Sequence, residues 1–158
     1  MEAFAELARR CGPGVHAIAL AHLGRVADAE DTTQAVLLAA FENLDRCRDP
    51  ARFDAWLFAI ARNRARRALV RRKLRDVLGL EPPEVVAPEG TDPALRRAML
   101  AALGTLSGIQ REVVLLHDLE GYSHAEIAAA LEIREEASRQ HLSRARRALR
   151  AELEEEQS

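Results

Sequence analysis

Apolar residues recur at helical spacing along most of the chain, and the strict alternation that makes half-buried strands does not occur. Phe4, Leu7 and Ala8 share a face over residues 2–10, and Gly12-Pro13-Gly14 reads as the end of that helix. Val15, Ile18, Ala19 and Leu23 predict a second helix, closed by Gly24. Asp28 is placed to cap a third helix running to about Leu44, with Asp31 at its third position and Val36, Leu37, Ala40, Phe41 and Leu44 available for a core. After the polar connection Asp45 to Asp49, Pro50 opens a long helix where its missing amide costs nothing, and Phe53, Trp56, Leu57 and Ile60 form its apolar stripe. Helical periodicity lapses from Asp76 to Asp92, where Pro82, Pro83 and Pro88 stand among glutamates, predicting an extended, flexible acidic linker. Asp92 and Pro93 then start a helix with Leu95, Met99, Leu100 and Leu103 on its core side. Ser107 and Gln110 form a capping box before a helix that buries Val113, Val114 and Leu116 and stops at Gly121. Ser123 and Glu126 open a short helix carrying Ile127, Ala128 and Leu131, Glu132-Ile133 makes a turn, and a longer helix from Glu135 turns Leu142 and Leu149 inward. The pattern predicts an all-α chain of two small helical domains, 1–75 and 93–158, joined by a linker over 76–92. The second is a four-helix domain with a helix-turn-helix and an acidic tail.

Composition narrows the function. Aromatics make up only 4% of a chain that is 48% hydrophobic, so the cores are built from Ala, Leu, Val and Ile, which suits helices. The formal net charge of −2 conceals a segregation. Arg62, Arg64, Arg66, Arg67, Arg71, Arg72, Lys73 and Arg75 follow Ala55 with no acidic residue among them. Arg64, Arg67 and Arg71 recur at three and four residues and share a face, which suits a polyanion. The last helix carries Arg139, Arg144, Arg146, Arg147 and Arg150, and such a basic second helix fits the major groove. No glycine-rich phosphate loop, nucleophile elbow or paired-histidine motif occurs, so neither catalysis nor a cofactor is expected. Cys11 and Cys47 are far apart and without CxxC context, and the five histidines are scattered, so a disulfide framework and a metal site are not expected either. The acidic N-terminus does not read as a signal peptide and no run is long enough to insert in a membrane, so a cytoplasmic location is expected.

Three segments in this order carry a family resemblance: DAEDTTQAVLLAAFENLD, FDAWLFAIARNRARRALVRRK and LSGIQREVVLLHDLEGYSHAEIAAALEI. From about residue 14 to 150 the chain resembles the extracytoplasmic-function (ECF) sigma factors, the compact two-domain specificity subunits of bacterial RNA polymerase. The resemblance implies binding to core RNA polymerase through Asp31 and Gln34, and to promoter DNA through both domains. Leu44, Asp45, Arg46 and Arg48 would enclose an unstacked base of the proximal element, while Asn63, Arg64, Arg67 and Arg71 would hold its backbone. Arg139, Gln140, Ser143 and Arg144 would read the distal element. The linker would thread the polymerase's basic RNA exit path. Many members are held inactive by an anti-sigma protein, which is therefore a further candidate partner.

The sequence departs from the family pattern at two places. Glu132 stands where the turn usually has glycine, and Glu136, Ala137 and Ser138 stand where the recognition helix usually begins with Gly-Thr-Val. Glu135 and Glu136 would repel DNA at the helix head. Two rival readings follow, a sigma-like protein-interaction module with weakened DNA readout and a one-component helix-turn-helix regulator.

Overall fold

The second half of the first helix is apolar on nearly every side, as a helix surrounded by others must be. In the computed structural model, which describes residues 2–79, 92–156 and 158, α1 spans Glu2–Leu23 and buries Val15, Ala17, Ile18, Ala19, Leu20 and Ala21. Gly12-Pro13-Gly14 does not end it, contrary to the sequence reading. Proline removes one helical hydrogen bond and disfavours the preceding turn, but burial of the residues beyond it outweighs that cost.

Gly24, at φ +67°, turns the chain into α2 (Val26–Glu42). Asp28 is not its cap: Arg25 holds that position without a side-chain bond. Asp28 instead accepts from Arg72 Nη1 at 3.1 Å, and the same guanidinium donates to Leu23 O at 2.6 Å. One arginine thus ties the end of α1 and the start of α2 to α3 (Phe53–Val77). Two 3₁₀ turns, Leu44–Arg46 and Pro50–Arg52, lead into α3, the second capped by Asp49. Phe58 and Leu57 lie at the centre of the core, whereas Trp56 is only half-buried. Phe41 and Leu44, expected inside, are 44% and 38% exposed, and Phe41 meets Phe4 edge-on at a centroid distance of 4.9 Å.

Residues 80–91, most of the expected linker, lie outside the described residues. Asp92 caps α4 (Pro93–Gly104) by accepting from Ala94 N. Leu95 and Met99 on that helix are exposed rather than core. The Ser107–Gln110 capping box forms in full at the start of α5 (Gly108–Val114). A π-helical turn follows, Leu115–Leu119, and Gly121 ends it at φ +75°. At α6 (His124–Leu131) the Ser123 hydroxyl accepts from the Glu126 amide, but the Glu126 carboxylate reaches that hydroxyl rather than the Ser123 amide. Then α7 runs Glu135–Glu156, so the described acidic residues of the expected tail continue the helix.

The two halves share one contiguous hydrophobic cluster, with α3 against α6 and α1 against α5 and the π turn. The sequence reading expects two small domains joined by a linker; in the structure the two halves pack against each other. The reason is a second apolar stripe on α3, centred on Phe58, which meets Tyr122 at 6.2 Å between ring centroids. Among the described residues no helix is long and apolar enough to cross a membrane.

Candidate polymerase and nucleic-acid interfaces

Asp31 and Gln34 both lie exposed on α2, one turn apart. Leu38 follows one turn further on the same face, 59% exposed, and Phe41 extends it. An acid, an amide and two apolar groups in line form a mixed surface of the kind that protein partners bury. Sequence reasoning missed Leu38, although its spacing from Gln34 was the available signal.

The connection from α2 to α3 borders a shallow cavity of ≈ 310 Å³. Arg46, Cys47, Arg48, Asp49, Arg52 and Trp56 line it, together with Glu132 from the other half. Leu44 and Asp45 are exposed on the adjoining 3₁₀ turn but do not line the cavity. A stacking ring and three guanidinium groups around one hollow can accept a flat anionic group. Asn63, Arg64, Arg67 and Arg71 project from α3 and are all exposed. Among the described residues Arg64, Arg67 and Arg71 form no ion pair, whereas their neighbours Arg62 and Arg72 are held by Glu112 and Asp28. The structure thus separates the basic block into structural and free cations.

On α7, Arg139, Gln140, Ser143 and Arg144 are exposed on the outer surface. Arg139 donates to Glu135 Oε2 at 3.1 Å. Ser138 is fully buried and its hydroxyl lies 2.8 Å from His124 Nδ1, so it fixes α6 to α7 by a hydrogen bond. Arg146 holds Asp118 with two hydrogen bonds, which keep that carboxyl below its usual range, and so joins α7 to the π turn.

Between the halves lies a buried ionic cluster that the sequence did not reveal. Glu112 on α5 is 2% exposed and receives Arg62 Nε at 2.9 Å, Arg62 Nη2 at 3.1 Å and His22 Nε2 at 2.9 Å. Burial pushes this carboxyl up, but the bonds from His22 and Arg62 outweigh it and hold the group below its ordinary value. Beside it, Gly14 lets Tyr122 and Phe58 approach the α1 backbone: a Cβ there would lie 2.4 Å from Tyr122 Oη and 2.6 Å from Phe58 Cζ. Burial pushes the Tyr122 phenol up to about 12.

Residues 7–75 match the family described as Sigma-70 region 2, and residues 96–149 match Sigma-70, region 4. The sigma factor CarQ of Myxococcus xanthus is 36% identical over 132 residues, covering 81% of this chain and 76% of that protein. The ECF sigma factor SigL of Mycobacterium tuberculosis H37Rv is 37% identical over 143 residues, covering 87% and 81%. The sigma factor RpoE of Bartonella quintana, solved in complex with the anti-sigma factor NepR, superposes with a TM-score of 0.68 at 26% identity over 98% of each chain. Both conserved regions occur here in their order, and the chain belongs to the ECF group of sigma-70 family RNA polymerase sigma factors.

Proposed function

We propose that this sigma factor meets core RNA polymerase through the α2 face and promoter DNA through α3 and α7. The observation that carries the reading is the sorting of arginines on α3: Arg62 and Arg72 are held internally, and Arg64, Arg67 and Arg71 are left exposed beside Asn63. Exposed cations in a row neutralise phosphate and set register. Trp56, Arg46 and Arg48 in the adjoining hollow receive an unstacked base, with Leu44 and Asp45 at its rim. Asp31 and Gln34, flanked by Leu38 and Phe41, dock on the polymerase. Arg139, Gln140, Ser143 and Arg144 face the distal element. Segment 80–91, with Glu81, Glu84 and Glu89 and no basic side chain, has the charge that suits a basic channel on the polymerase, and it connects the proposed domains 1–75 and 93–158. An anti-sigma partner is inferred from RpoE, solved with NepR. Such a protein works in the cytoplasm, where polymerase and promoter lie.

The test is run-off transcription with core polymerase on a promoter library. Asp31→Ala/Gln34→Ala is expected to weaken core binding with helicity unchanged, and reversal of Arg64, Arg67 and Arg71 to cut promoter opening and flatten its salt dependence. Unaltered core affinity in the first variant, or an unaltered salt slope in the second, would remove the corresponding assignment. One observation favours the rival interaction module: Arg139, a reader of the distal element, is engaged by Glu135. That pair is exposed and worth only about 0.3–0.5 kcal/mol, so DNA can displace it.

A further inference from the structure

We infer that the packed arrangement of the two halves is a self-blocked state, in which Glu132 of the helix-turn-helix sits at the mouth of the base pocket as an internal competitor for DNA. The inference rests on the proposed role of that pocket. Arg46, Cys47, Arg48, Arg52 and Trp56 come from the region 2 half, and Glu132 comes from region 4. Its carboxylate accepts from Arg52 Nη2 at 2.5 Å. An anion is thus already held where a phosphate or base edge would approach, and a guanidinium that is bonded to it is withdrawn from DNA.

The backbone points the same way. Glu132 is the non-glycine residue at positive φ among the described residues, at +56°. Glycine would adopt this left-handed conformation at lower cost. The helix-turn-helix needs that conformation at its turn but has no need of a carboxylate there, and the Arg52 contact is what the carboxylate does.

An exposed ion pair cannot hold two domains together. The hold comes from Glu112, which bridges His22 on α1 and Arg62 on α3, and from the close seat of Tyr122 and Phe58 on Gly14. Removing a buried partner leaves the opposite charge uncompensated and favours parting of the halves. Parting them withdraws Glu132 from the pocket.

Cys47 reads this directly. It lines the pocket and is half-exposed, whereas Cys11 is buried. The experiment uses the full chain, N-ethylmaleimide with peptide mapping for Cys47, and a fluorescent random-sequence single-stranded DNA for binding. Glu132→Gly is expected to tighten DNA binding roughly two- to fivefold, as loss of one exposed pair allows. Glu112→Gln is expected to speed Cys47 alkylation and to tighten binding roughly tenfold. Unchanged DNA affinity in Glu132→Gly would overturn the inference, whatever Glu112→Gln or the alkylation rate does. The pocket's own role is tested separately by Arg48→Glu in the Glu132→Gly background. If that change weakens DNA binding while Glu132→Gly alone is neutral, the pocket stands and the block falls. If it leaves binding unchanged, the pocket reading itself fails.

Discussion

Gly14 and Glu112 decide how the halves meet. Adding one methyl group at Gly14 forces Tyr122 and Phe58 aside. Overpacking of this kind costs about 1–3 kcal/mol, against about 0.5–1 kcal/mol regained from helix propensity. Gly14→Ala is therefore expected to lower stability by a net of up to ~2.5 kcal/mol in urea denaturation. Glu112 brings a pH dependence. Its folded carboxyl titrates below the ordinary value of 4.5. Its contribution is present in full above that ordinary value and is lost as pH falls below it and through the depressed folded value. Urea midpoints measured from pH 6 downward should therefore drop in the acid range, and Glu112→Gln should flatten that part of the curve. Asp118 is also held below its ordinary value, by Arg146, so part of the slope will remain in the variant. Breaking a buried pair can cost about 3–5 kcal/mol, but here the cost is limited by the free energy of separating the halves, since separation returns the charges to water.

At the scale of elements, the starts of helices were the most legible. Ser107–Gln110, Ser123 and Asp92 cap where their spacing says they should, because a cap is a local hydrogen bond between near neighbours. Ser107→Ala should cost about 1 kcal/mol of stability, measured by thermal unfolding. Pro13 and Asp28 misled for one shared reason: long-range contacts overrode local preference. The burial of α1 carries the helix past Pro13, and Arg72, 44 residues away, takes Asp28 from the capping role. The candidate site was readable as a set of exposed polar residues on known faces. Leu95 and Met99 show the limit of the same reading, since periodicity identifies an apolar face without saying what covers it. Glu112, His22 and Arg62 could not be paired from sequence at all, being 90 and 50 residues apart. On α7, Glu135→Gln frees Arg139 and removes a like charge from the helix head. Fluorescence anisotropy of the full chain with duplex DNA should show tighter binding across all sequences, and loosening at a single promoter position would instead assign Glu135 to a base.

Across the whole molecule, a continuous core and a buried ionic bridge predict that the halves unfold together. The single tryptophan, Trp56, reports on region 2, while far-UV circular dichroism reports on both halves. The two signals should give one coincident urea transition in the wild type. In Glu112→Gln they should separate, because the bridge between the halves is then gone.

The placement of Glu112 also bears on how such a protein can be recombined. Its carboxylate is carried by region 4, and both of its hydrogen-bonding partners, Arg62 and His22, are carried by region 2. A chimera that grafts this region 4 onto a region 2 without counterparts of Arg62 and His22 would bury an acid with nothing to neutralise it, and the reverse graft onto a region 4 without a counterpart of Glu112 would leave Arg62 unpaired. Shuffling of promoter specificities between relatives by exchange of halves is thereby penalised unless residues 22, 62 and 112 travel as a set, so that here the unit of modular inheritance is the pair of domains and not either domain alone.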